Sequence, residues 1–198
     1  MEIEKEAPEQ EAGGFSNTYS TKKVDPASGE AVFQEAKRRL LDINHWKDYA
    51  GTGSAEFQLT DQHGNIVERD PATGDHFRIN IPGPGNEAGN GYDWVRVEEV
   101  REENEESNIF CMTVRPAPDP GDNAGDTAHF FSDSATSTFT VSRKGDEVTV
   151  AVLGRNELPN TSVEKGTNKL RNAAVATGAI TIFSKIQWKK LVNGILDF

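Results

Sequence analysis

Between Ala55 and Glu157 the hydrophobic residues of this 198-residue chain alternate with a period of two, and on both sides of that region they recur every three or four positions. The clearest stretch is "STFTVSRKGDEVTVAV", residues 137–152. With Lys144 and Gly145 as the loop, Val141 pairs with Val148, Phe139 with Val150 and Ser137 with Val152, all on one face. Thr136, Thr138, Thr140 and Thr149 fall on the other. An apolar set beside a threonine set predicts a sheet with one covered face and one wet face. "AEFQLTD", "NIVERD", "HFRINI", "DWVRVEEV" and "NIFCMTVRP" extend the pattern to six or seven strands, joined mostly as sequential hairpins and therefore antiparallel. Their inward sets are Phe57 and Leu59; Phe77, Ile79 and Ile81; Val95 and Val97; and Phe110, Met112 and Val114.

Two helical segments bracket this region. "DPASGEAVFQEAKRRLLDINHWKDY" opens on Asp25 and Pro26, and Phe33, Ala36, Leu40, Ile43 and Trp46 make one apolar face, with a break near Asp42. A short edge strand, Phe15 to Val24, precedes it. At the other end, Thr161 and Glu164 stand in capping-box spacing, and a helix is expected to run to about Leu196. Its seam is Leu170, Ala174, Thr177, Thr181, Ser184, Trp188, Leu191 and Ile195. About 30 helical residues would extend on the order of 45 Å, which is long for a domain of this size.

Composition narrows the partners. With 32 acidic and 21 basic residues the formal charge is -11, so nucleic acid and anionic surfaces, which need a positive field, are disfavoured. Cys111 is the only cysteine and is read as a buried, inert thiol; no internal disulfide is possible. Residues 1–14, "MEIEKEAPEQEAGG", carry five glutamates and are expected to form a solvated, disordered acidic tail outside a single domain of residues 15–198. No segment has the length and apolarity of a bilayer span, and no basic and apolar leader opens the chain, so the expected location is the cytoplasm.

The order strand, helix, antiparallel strands, long C-terminal helix resembles the helix-grip fold of the START, polyketide-cyclase and birch-pollen-allergen superfamily. The resemblance is carried by "YSTKKVDPASGEAVFQEAKRRLLDINHW" and "LRNAAVATGAITIFSKIQWKKLV". It implies an α+β fold, a curved antiparallel sheet wrapped on the long C-terminal helix, and an apolar cavity between them that takes a small molecule. It transfers no functional residue.

Site residues come from the strand parity. Carried back from Phe139 without a bulge, it places His129, Phe131 and Asp133 on the covered face; carried forward, it places Asn156 there and turns Arg155 and Glu157 outward. Together with Trp94 and Trp188 these form the expected ligand-binding set: His129, Phe131, Asp133, Asn156, Trp94 and Trp188. His129 and Asp133, four apart in an extended strand, would stand about 13 Å from each other, too far for a direct acid/base pair. The simple alternative for His129 is a buried ring bonded to the backbone.

"IPGPGNEAGNGYDW", residues 81–94, is not a phosphate loop: a strand rather than a helix follows it, two prolines remove amide donors, and Glu87 and Asp93 repel phosphate. It reads as a long connection that could close a cavity mouth. Asp119, Asp122 and Asp126 lack the alternating ligands and closing glutamate of a calcium loop, and the four histidines show no ligand spacing, so neither a metal nor a cofactor is expected. Three functions fit: a binder of a lipid-like or aromatic molecule in an apolar cavity, a cavity enzyme with His129 as general acid or base, or a protein-interaction module with a packed interior.

Overall fold

A computed structural model describes residues 2–83, 85–103, 108–122, 125–160 and 178–198. Seven strands, β1 (Gly14–Lys23), β2 (Glu56–Thr60), β3 (His76–Asn80), β4 (Asp93–Glu103), β5 (Asn108–Pro116), β6 (Thr136–Lys144) and β7 (Glu147–Glu157), form one antiparallel sheet in the order β1-β7-β6-β5-β4-β3-β2. From β2 to β7 every strand pairs with its sequence neighbour, as the short hairpin connections dictate; only β1 crosses the molecule, to the free edge of β7. The helices are α1 (Gly29–Leu41), α2 (Trp46–Ala50) and α3 (Ala179–Ile195). With α1 across β6 and β7 and α3 against α2, β1 and β7, this is the α+β helix-grip arrangement. The expected helical residues 161–177 lie outside the described residues.

The inner face carries the alternation the sequence foretold. Phe57, Phe77, Val97, Phe110, Met112, Val114, Phe139, Val141, Val148, Val150 and Val152 are all buried, together with Phe33, Ala36, Leu40, Ile43 and Trp46 from the helical side. Trp46 is the centre. Its ring centroid lies 5.1 Å from Phe57, 5.7 Å from Phe77, 4.8 Å from Phe139 and 6.4 Å from Trp188. Its indole N–H donates to the Leu40 carbonyl at 2.9 Å, where α1 ends and would otherwise leave that acceptor bare.

Three expectations are corrected. The β6–β7 loop is Gly145–Asp146, with Lys144 opposite Glu147, so Val141 faces Val150 and Phe139 faces Val152. Gly145 takes φ 61°, the positive angle that a tight hairpin needs at its first loop position. Moving the loop by one residue slips the register by two and leaves every side chain on its expected face. Secondly, "NIVERD" forms only an isolated bridge, Thr60 to Ile66. Asn44 takes the place of a further strand there, accepting from the Leu59 amide at 2.7 Å and donating to the Val67 carbonyl at 3.0 Å.

Thirdly, the threonine face is not wet. Thr138 and Thr140 are fully buried, because residues 2–12 lie across the outer face instead of forming a free tail. A short 3-10 turn, Glu2–Glu6, sets Ile3 on Ala151 and Leu153 of β7. Glu4 accepts from the Tyr19 hydroxyl at 2.6 Å, and Glu6 pairs with Arg101 of β4. The outward residues of β7 include Ala151 and Leu153, an apolar strip that needs cover.

Candidate ligand site

The expected site residues do not converge. Beyond Pro116 the chain leaves the sheet, and it returns only at Thr136, through a turn closed by the Ala135 amide on the Ser132 carbonyl at 3.1 Å. The parity carried back from Phe139 therefore fails. His129 is buried in a loop corner: its Nδ1 accepts from the Phe131 amide at 3.0 Å, its ring stacks on Phe130 at 4.2 Å, and its carbonyl accepts from Asn160 at 3.0 Å. Phe131 bridges to Pro159 beside it. Asp133 is exposed, with its backbone carbonyl accepting from Arg115 at 2.7 Å. Trp94 sits on the side of β4 opposite Val95, its N–H on the Gly89 carbonyl at 3.2 Å. A side chain at Gly89 would collide with that indole and with Ala128. Of the six, only Trp188 lies against the aromatic core.

The loop 81–94 is organised from within. The buried Asn86 donates to Asp93 at 3.1 Å, its side-chain oxygen caps the Ala88 amide, and its carbonyl accepts from Gly89 and Gly91. Asp119 is likewise used internally, accepting from Asn90 at 2.8 Å and the Gly121 amide at 2.9 Å. Among the described residues no group of three or more His, Cys, Asp or Glu side chains is placed to hold a metal ion. No described helix is long and apolar enough to cross a membrane.

What the sequence reading missed begins at Asn156. It adopts φ 54°, a left-handed conformation that asparagine tolerates, and this breaks the alternation at the end of β7. Asn156 consequently turns outward, its Oδ1 accepting from the amides of Glu11 (2.7 Å) and Ala12 (3.1 Å). Glu157 is swung to the inner side. There its carboxylate accepts from Ser16 at 2.7 Å and lies over Gly154, where a Cβ would stand 2.1 Å from Glu157 Oε1 and 2.5 Å from Ser16 Oγ. Ser16 faces Gly154, Thr18 faces Val152 and Ser137 faces Gly154. At this end of the grip the inner face thus changes from bulky apolar side chains to Ser16, Thr18, Ser137 and a glycine.

Between β1 and α3 runs a groove of about 580 Å³, lined by residues 15–19, Ser16 and Thr18 among them, with Lys185 and Lys189. On α3, Ile182, Lys185, Ile186 and Lys189 follow i, i+3, i+4, i+7 spacing and so share one stripe. Ile182 and Ile186 are 60% and 52% exposed, and Phe15 across the groove is 64% exposed, an unusual density of open apolar surface. Lys189 donates to the Tyr19 carbonyl at 2.8 Å, which ties α3 to the edge of β1. The groove is amphipathic: apolar at Phe15, hydroxyl-lined on β1 and cationic on α3.

A second groove, about 510 Å³, lies beside the break between α1 and α2. Asp42 there binds His45 Nδ1 at 2.6 Å and the Tyr49 hydroxyl at 2.7 Å. The bond to Asp42 raises the His45 pKa above its ordinary 6.5. A raised value means that the pairing stabilises the fold at pH below 6.5 and that this contribution is lost as pH rises through the folded value. In an NMR pH titration His45 is expected to titrate above a free histidine, and Asp42→Asn to bring it back down. An unshifted His45 in the wild-type chain would show that the pair does not form.

No protein-family model matches the chain, and no curated protein matches it. Solved structures resemble it at low identity and with TM-scores below 0.5. A hypothetical protein, jhp0584, from Helicobacter pylori is 14% identical with a TM-score of 0.46, covering 91% of this chain and 86% of its own. The di-domain ARO/CYC StfQ of the steffimycin biosynthetic pathway is 10% identical with a TM-score of 0.43, over 91% of this chain and 50% of its own. Ginseng major latex-like protein 151 from Panax ginseng is 16% identical with a TM-score of 0.36, over 86% and 97%.

Proposed function

We propose that this protein binds a small amphiphilic molecule whose apolar part lies along the groove between β1 and α3 and whose polar end is acidic. The observation behind this reading is the groove itself. Its volume falls in the range of small-molecule sites, about 300–1,000 Å³, and it joins exposed Phe15 to hydroxyls and to two lysines. Lys185 would attract a carboxylate or sulfonate, while Ser16 and Thr18 offer hydroxyls to hydrogen-bond its polar atoms. Binding along the inner face below α3 would have to displace the cluster of Trp46, Phe57, Phe77, Phe139 and Trp188, so the ligand sits toward Ser16 and Thr18 instead.

The probe for this reading is 8-anilinonaphthalene-1-sulfonate, an aromatic sulfonate, with dodecanoate as competitor. Bound-probe fluorescence that dodecanoate displaces is expected for the wild-type chain. Lys185→Glu is expected to weaken both by about tenfold, the cost of replacing one attractive surface charge with a repulsive one. Equal binding by wild type and Lys185→Glu, or none by either, would refute the site.

A further inference from the structure

We infer that the outer face of the sheet carries a binding site for a small zwitterion, of the ω-amino acid class, at the corner formed by β3, β4 and β5. The strand register builds its floor. His76 of β3 lies opposite Arg96 of β4, and Arg96 lies opposite Arg115 of β5, so one basic row crosses three neighbouring strands. Each alternates with an inward residue, Phe77, Val95 or Val114, and therefore stands on the outer side. Like charges directly opposite one another destabilise a sheet, and Glu98 offsets only part of this pair. It accepts from Arg96 at 2.8 and 3.0 Å and lies 3.8 Å from Arg115.

The loop that follows β5 forms a wall beside this row, and the β2–β3 connection closes on that loop: a Cβ at Gly64 would stand 3.3 Å from Pro120. The pocket between them measures about 590 Å³, within the range of small-molecule sites. Its wall has the opposite sign to its floor, since Asp119, Asp122 and Asp133 line it. Asp119 accepts from Asn90 at 2.8 Å and from the Gly121 amide at 2.9 Å. Arg115 donates at 2.7 Å to the backbone carbonyl of Asp133, an exposed residue. Among the described residues, the ion pairs of Arg96 and Arg115 go to Glu98. The arginines and the wall aspartates thus face one pocket from separate sides.

Charge separation selects the ligand. A lone carboxylate is repelled by the aspartates and a lone ammonium by the arginines, whereas a molecule with both ends meets each with its opposite. The carboxylate end belongs on the guanidinium row, which offers forked donors, and the ammonium end on the wall at Asp133. Burial, with Arg96 beside it, lowers the His76 pKa below its ordinary 6.5, so at pH 7 the ring adds a hydrogen-bonding nitrogen and no charge. Its Nδ1 is enclosed without a hydrogen-bond partner, which leaves Nε2 to the ligand.

The test is residue-resolved NMR of the full-length chain at pH 7, titrated with glycine, γ-aminobutyrate and ε-aminocaproate, with hexanoate and hexylamine as single-charge controls. Saturable shifts at His76, Arg96, Arg115 and Asp133 are expected for at least one amino acid, with an affinity about tenfold above that of either control. Asp133→Asn is expected to weaken that amino acid about tenfold without weakening hexanoate, and Arg115→Gln to weaken both. Amide spectra unchanged away from the pocket verify that the variants fold. No saturable shift with any of the three amino acids would overturn the inference. So would a single-charge control that binds as tightly, or an Asp133→Asn chain that binds the amino acid unchanged. Shifts confined to Phe15 and Lys185 would assign the probes to the groove between β1 and α3 and equally overturn it.

Discussion

Replacing Trp46 with alanine is expected to remove about 3–5 kcal/mol of stability, a large share of the 5–15 kcal/mol typical of a domain. Trp46 has no exposed surface and touches four other aromatic rings, and its truncation leaves a cavity that they cannot close without dismantling their edge-to-face contacts. It also strips the Leu40 carbonyl of its donor at the end of α1. Trp46→Phe should cost less, because a ring remains and only the N–H and part of the volume are lost. Urea denaturation with unchanged m-value is the measurement. A loss below about 1 kcal/mol for the alanine variant would mean that the interior is not organised around this residue.

The second large effect runs against the usual rule. Glycine to alanine inside a helix ordinarily stabilises by about 1 kcal/mol. At Gly194 a Cβ would stand 1.9 Å from the carbonyl oxygen of Tyr49 and 2.5 Å from its carbonyl carbon. Both are backbone atoms, so no rotamer change relieves the clash, and α3 must move off α2. Its carbonyl, bonded to Arg39 at 3.2 Å, would move with it. Gly194→Ala is therefore expected to destabilise by about 1–3 kcal/mol, the cost of overpacking a tight contact. The same denaturation experiment checks it, and a neutral or stabilising result would show that the helices are not in such close contact.

Much of the fold was legible because alternation is a local signal. The inward sets of β2 to β7 and the face from Phe33 to Trp46 follow from spacing alone, and a two-residue error in hairpin register left them intact because parity survived. The site was less legible, since each failure occurred where one residue departs from the repeat. The turn at Ser132–Ala135 detached His129, Phe131 and Asp133 from β6. The left-handed Asn156 exchanged the roles of Asn156 and Glu157. In residues 2–12 the glutamates dominated the reading, yet Ile3 and the outward Ala151 and Leu153 were enough to seat the segment. A possible signal was present: Ala151 and Leu153 interrupt the threonine face with an apolar pair.

The most direct test of the proposed ligand site is residue-resolved NMR of the full-length chain during a dodecanoate titration. Saturable shifts at Phe15, Ser16, Thr18, Lys185 and Lys189, with the resonances of Ala151 and Leu153 unmoved, are the expected result. Shifts confined to other surfaces, or none at saturating dodecanoate, would contradict a ligand site in the grip between β1 and α3.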